Sequence, residues 1–244
     1  GDDAGSVNKG IFRDFPLPNW DITYRGLVRI PWFKQRFTSF LMKHSYASSY
    51  TVNSYQTNYD YAANADVINA MGNYPTKITV GNVNLVESFS PLVGVDFRTK
   101  NAFTFNASIN KDRMLSMSFD NNLLTEVQGN DYVFGVGFRI KDVTFNTDIE
   151  GAPNGGTIVS DLNVKVDFTW RKSTTIIRYL DYDNNIVGAG QNAWNLKLQA
   201  DYTFTKNITA IFYYQHDFSK AVISTTFPVT NIRSGFTLRY NFGN

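Results

Sequence analysis

Trp194-Asn195-Leu196-Lys197-Leu198-Gln199-Ala200-Asp201-Tyr202-Thr203-Phe204-Thr205 alternates apolar and polar residues without a break. Successive side chains of an extended chain point to opposite faces, so this is the pattern of a strand with one apolar and one polar face. After a short connection at Lys206-Asn207 the pattern resumes with Ile208, Ala210, Phe212 and Tyr214. It returns again with Phe236, Leu238, Tyr240 and Phe242, set against Arg233, Gly235, Thr237, Arg239 and Asn241. Long strands with one face almost wholly apolar and the other charged need a matching solvent on each side. A barrel wall that faces lipid outside and water inside meets that need.

Upstream, the same period recurs. Strands are expected over about residues 19–29 (Trp20, Ile22, Tyr24), 36–55, 86–98, 102–110, 115–119, 132–140, 162–171 and 174–182. With the three already described, the count is about eleven. Residues 1–18 read as an irregular lead-in and 19–244 as the strand region. The segment 58–84 reads as a long excursion with room for a short helix near 62–70, and 142–156, with its Pro and Gly residues, as a loop.

On this count the connections sort by parity. Residues 99–101, 172–173 and 206–207 are short and share an edge with medium turns at 30–35 and 125–130. The long connections 58–84, 142–156, 183–190 and 220–231 share the other, where only 111–113 is short. Short periplasmic turns and long external loops are the asymmetry of outer-membrane barrels, which would make the C-terminus periplasmic. Complete bacterial barrels have even strand numbers, so an odd count means either an error of one or a part of the wall upstream of Gly1.

Composition agrees with a membrane barrel. The chain has 14 Tyr, 20 Phe and 4 Trp, yet its mean hydropathy is below zero, as expected when apolar residues occupy alternate positions only. No run approaches the ~18 apolar residues of a membrane helix. The 23 basic and 21 acidic residues give a net charge of +2 without a basic block, which gives no support to nucleic-acid binding. Cysteine is absent, excluding disulfides and thiolate metal sites. The first residues, GDDAGSVNKG, lack a signal-peptide core, so an exported protein is represented here as a mature form or a fragment.

The expected lipid-facing set is Phe103, Phe105, Phe134, Val136, Phe138, Val164, Val166, Phe168, Leu196, Leu198, Phe212 and Leu238. The expected lumen-facing set is Lys43, Asp96, Arg98, Arg139, Lys165, Asp167, Lys197, Asp201 and Arg239. Trp20, Tyr132, Trp170, Trp194 and Tyr240 suit interfacial girdles. A water-soluble sandwich or lipocalin-like barrel would alternate too, with its apolar face inward; strand length, aromatic excess and one-sided loops favour the membrane. His216 and Asp217 are sequence neighbours, but adjacent strand residues point apart and cannot easily share a proton. With no phosphate loop, metal-ligand cluster or nucleophile motif, no catalytic residue, cofactor or metal is expected, and an outer-membrane hydrolase would need groups that are missing. A self-contained barrel of ten or twelve strands, a porin for small solutes, is the alternative to a partial wall.

Several segments resemble the C-terminal part of the SprA/Sov family, the outer-membrane translocon barrel of the type IX secretion system in Bacteroidetes. Leu17-Pro18-Asn19-Trp20 with Tyr24, Gly26 and Leu27 is similar to one family signature, followed by His44, Tyr46, Ser49, Tyr50 and Val52. Glu87-Ser88-Phe89-Ser90-Pro91-Leu92-Val93-Gly94-Val95-Asp96 is the nearest match, supported by Arg113 to Leu115, Leu124-Thr125-Glu126 and Gly135 to Lys141. The resemblance covers residues 15–142; beyond them Arg233, Gly235, Leu238, Tyr240 and Phe242 are similar to a barrel insertion signal. It implies a conduit for folded secreted cargo proteins, set in outer-membrane lipid, completed by the remainder of the translocon barrel, and met by a PorV-like barrel and a plug protein. It implies no catalytic residue.

Overall fold

In the computed structural model, residues 17–64, 66, 68, 72, 74–146, 156–182, 184–205, 207–223 and 226–242 are described. The elements are β1 (Trp20–Tyr24), a 3-10 turn (Gly26–Arg29), α1 (Pro31–Arg36), β2 (Phe37–Thr57), α2 (Tyr59–Asn64), β3 (Ile78–Thr99), β4 (Thr104–Ser118), β5 (Leu123–Asn146), β6 (Thr157–Tyr179), β7 (Asn184–Thr203), β8 (Ile208–Ala221) and β9 (Val229–Tyr240). Each strand pairs antiparallel with the next, giving one nine-stranded sheet in sequence order. The sheet does not close: among the described residues β1 and β9 each have one neighbour.

A single sheet has no second layer to hide its apolar face. The chain accordingly exposes 17067 Å², where a compact globule of its mass would expose about 11,000 Å². Phe236, Leu238 and Ile232 are 66%, 60% and 58% exposed.

The all-β reading holds, but the strand count is nine rather than eleven. The supposed turn at residues 111–113 lies inside β4, where Lys111 pairs with Asn130 and Arg113 with Gln128. The supposed turn at 172–173 lies inside β6, where Lys172 and Ser173 pair with Asn130 and Gly129, and the supposed turn at 125–130 is β5 strand. Ladder hydrogen bonds do not depend on side-chain polarity, so a strand continues past the point where its apolar alternation stops.

Merging those strands re-sorts the connections. One end of the sheet, termed lower, carries the connections 25–36, 100–103, 147–156 and 204–207, and the other, termed upper, carries 58–77, 119–122, 180–183 and 222–228. Long and short connections thus occur at both ends, and the expected one-sided loop asymmetry is not found. The first strand ends at Tyr24 rather than near residue 29, because Pro31 starts α1, with its fixed φ suited to a first helical position. The excursion after β2 is shorter than expected, with its helix at Tyr59–Asn64 and strand resuming at Ile78. Strand β5 also runs on to Asn146, into the expected loop; its remainder, 147–155, and most of the lead-in, 1–16, lie outside the described residues.

Irregularities sit where the sequence breaks its own period. Pro91, which cannot donate to a ladder, lies in the two-residue excess that β3 shows between Phe89 and Val93 against β4. Asp142, at φ +55°, marks a shift in β5 between Ile140 and Val143. That extra residue moves Val143 and Phe145 onto the face occupied upstream by Phe138 and Ile140.

Candidate functional site

The pairing registers align the alternations of separate strands into continuous rows. One row reads Phe40, Phe97, Phe105, Val136, Val166, Leu198 and Tyr214 from β2 to β8. Four residues toward the upper end lies Ile109, Tyr132, Trp170, Trp194 and Phe218; four toward the lower end lies Ile140, Leu162, Tyr202, Ala210 and Leu238. All are on one face, because residues two apart in a strand share a face. They bound a nine-residue apolar band in β5 (132–140), β6 (162–170), β7 (194–202) and β8 (210–218).

Rings gather at both margins of this band. At the upper margin Tyr132 stacks on Trp170 (5.2 Å) and Trp194 on Phe218 (5.7 Å). Trp20 stacks on Tyr46 at 4.6 Å in the same zone. At the lower ends of β2 and β3, Phe33, Phe37, Phe40 and Phe97 lie in successive edge-on and tilted contacts, and at the lower margin Phe145, Tyr202 and Phe204 form a second group. Tyr and Trp pair an apolar body with a polar tip, and the Trp170 indole N–H donates to Asn192 Oδ1 at 2.5 Å, just beyond the margin.

The opposite face is polar and carries both signs of charge, several of them paired. Lys43 pairs with Asp96 at 2.7 Å, Lys165 with Asp167 at 2.9 Å, Arg139 with Asp161 at 3.6 Å and Arg233 with Asp217 at 3.1 Å. Arg171 reaches over two strands to Asp131 (2.9 Å) and Asp112 (3.6 Å). Asp201 accepts from Gln199. Small residues accommodate these side chains: a Cβ at Gly135 would run into Asn106, and one at Gly129 into Asp112. Exposed ion pairs of this kind stabilise little, so their effect is to keep the face hydrated and near neutral.

Phe105, Phe134, Val136, Phe138, Val164, Val166, Phe168, Leu196, Leu198, Phe212 and Leu238 lie on the apolar face. Phe103 falls in the β3–β4 connection, against Phe97. Lys43, Asp96, Arg98, Arg139, Lys165, Asp167, Lys197, Asp201 and Arg239 lie on the polar face. His216 and Asp217 fall on opposite faces: the imidazole meets Trp194 edge-on at 4.6 Å, while the carboxylate accepts from Asn195, Gln215 and Arg233.

Sequence reasoning missed a polar cluster on the apolar-face side, above the upper margin. Glu87 accepts from Tyr46 at 2.9 Å and is paired with Arg113, while Glu126 accepts from Arg178 at 2.9 Å and Gln128 at 2.7 Å. Both glutamates are buried beside Leu115 and Leu124. Burial acts to raise the Glu126 carboxyl, but hydrogen bonds from Arg178 and Gln128 and the charges of Arg178 and Arg113 outweigh it, leaving it below its ordinary value. The available signal was the four charged residues at two-residue spacing from strand positions, Glu87, Arg113, Glu126 and Arg178, each on the parity that elsewhere carries Phe or Val.

No described helix is long and apolar enough to cross a membrane, and no cluster of three His, Cys, Asp or Glu among the described residues could hold a metal. Neither models of known protein families nor curated proteins yield a match to this chain.

Proposed function

We propose that this sheet is a section of an outer-membrane barrel wall, with the apolar face in lipid and the polar face lining an aqueous protein-export channel of the type IX secretion kind. The observation that carries the reading is the apolar band with ring-rich margins, held in register over consecutive strands and covered by none of the described residues. Nine residues rise about 27 Å along a strand at 3.3–3.4 Å each, and a tilt of about 40° brings that to roughly 20 Å, close to the ~25 Å apolar belt of such barrels.

At this level the wall acts passively. Lipid contact anchors the strands, continuous ladders satisfy the backbone in hydrocarbon, and balanced charges give cargo a wet surface without a strong field. The open edges favour a part of a larger barrel over a self-contained porin of ten or twelve strands. By resemblance to the SprA/Sov family, the partners are the rest of the translocon barrel, a PorV-like barrel, a plug protein and the exported cargo.

Single-cysteine labelling tests the reading, since the chain has no cysteine of its own. In membranes, an impermeant maleimide should label Asp167→Cys through the channel and leave Val166→Cys unlabelled. Equal labelling of both positions, or the reverse order, would overturn the assignment of the faces.

A further inference from the structure

Beyond the upper aromatic row, the next row on the same face reads Lys111, Asn130, Lys172, Asn192 and Lys220. We propose that these three lysines, with the asparagines between them, form a strip that binds the phosphates of anionic membrane-lipid head groups. The proposal rests on the reading of the apolar face as lipid-facing, and goes beyond it by naming the lipid chemistry that this margin takes.

Three features point to an anion. The lysines occur on alternate strands, β4, β6 and β8, so they repeat at about 10 Å for a 4.7–4.9 Å strand spacing. All three are exposed, and among the described residues none makes an ion pair. Their acidic sequence neighbours are removed by the strand period: Asp112 follows Lys111 and Asp131 follows Asn130, but both carboxylates project from the opposite face, where Arg171 binds them.

The strip is also placed at the depth of a head group. Each lysine is two residues above an apolar residue of the margin: Lys111 above Ile109, Lys172 above the Trp170 ring and Lys220 above the Phe218 ring. A lysine stem can lie over such apolar surface and lift its ammonium into the polar zone. Asn192 accepts from the Trp170 indole through Oδ1, which leaves its NH2 as a donor in the same row. At the lower margin of β6 to β8 the described residues of the same face form no such row, since beyond Leu162, Tyr202 and Ala210 it continues with Ser160, Phe204 and Ile208. The strip therefore sets its charge at the upper margin of the band.

The test uses the membrane protein that carries this chain, refolded into vesicles of phosphatidylcholine alone or mixed with phosphatidylglycerol or lipid A. A K111Q/K172Q/K220Q variant should lose its preference for both phosphate-rich mixtures by about fivefold per lysine at low salt, keep its partition into phosphatidylcholine, and regain the preference as the triple arginine variant. A K77Q/K100Q control, in connecting segments, should behave as the parent does. An unchanged preference in the glutamine variant, equal losses in charged and neutral vesicles, or complete displacement by inorganic phosphate would overturn the strip. If the parent protein enters neither kind of vesicle, the lipid-facing reading itself fails; if it enters both alike, only the strip does.

Discussion

Replacing Val166 by arginine gives the sharpest separation between an apolar face in lipid and an apolar face awaiting a protein layer in water. Val166 lies four residues from Trp170 and four from Leu162, the two margins of the band in β6. It is therefore about 13 Å along the strand from each margin, or about 10 Å of depth after tilt, at the centre of the belt. Its lateral neighbours are Val136 and Leu198, so no acidic partner is at hand in its row. An arginine at the bilayer centre costs a barrel about 2–4 kcal/mol, against about 0–1 near the interfaces. The folded population in lipid should fall by a factor of roughly 30 to 1000, at about 1.4 kcal/mol per tenfold.

Denaturant titration of the protein refolded in vesicles measures this directly, with tryptophan emission as the signal. Asp167→Asn, one residue away on the polar face, serves as the matched control, because it alters only an exposed ion pair with Lys165 and should shift stability by less than about 1 kcal/mol. If Val166→Arg is as well tolerated as Asp167→Asn, or if it makes the protein more soluble without detergent, the face is not in hydrocarbon and the reasoning is refuted.

Two further outcomes follow from the margins and the cluster above them. Trp170 and Trp194 should be quenched strongly by lipids brominated near the head group and weakly by lipids brominated at the chain ends; the reverse order would place the row at mid-bilayer. Glu126→Ala strands the guanidinium of Arg178, whose side chain is 19% exposed, and should cost about 3 kcal/mol, the lower end for breaking a buried pair. The same carboxylate should confer acid sensitivity. Its folded pKa is depressed, so its contribution is complete above the unfolded carboxylate value and is lost as pH falls through the lower folded value. Glu126→Gln should flatten that acid limb in a stability-against-pH series, and an unaltered limb would remove Glu126 as its source.

The sequence exposed the parts of this fold that depend on the strand period and hid those that depend on register. Trp194 to Thr203 could be read without ambiguity because apolar and polar residues alternate onto opposite faces of β7 there without a break. The windows 111–113 and 172–173 were misread for a physical reason: the strand continues above the band, where the same face changes from rings to Lys111, Arg113 and Lys172. A loss of alternation there marks the margin of the apolar band, while the backbone ladder runs on. The ring rows, the Glu126 to Arg178 pair and the lysine row each join residues tens of positions apart, and no local pattern fixes which residues become neighbours. The shift at Asp142 adds a change of parity that a strict alternation cannot anticipate.

The open edge is the point at which fold and proposed function constrain each other most tightly. Within the band β9 contributes residues 230–238 and, among the described residues, is paired on one side only, to β8. In an antiparallel strand alternate residues direct both backbone groups to the same side, so about four N–H and four C=O groups face away from β8. Each would cost several kcal/mol unpaired in hydrocarbon. Their sum exceeds the ~5–15 kcal/mol net stability of a typical domain, so the sheet as it stands cannot rest in a bilayer with that edge bare. Water would satisfy the same groups at no comparable cost. In membranes, then, the outward amides of β9 should resist hydrogen exchange as strongly as those of β8, protected by a further strand. If they exchange freely while β8 stays protected, the edge is wet, and the wall does not continue past β9.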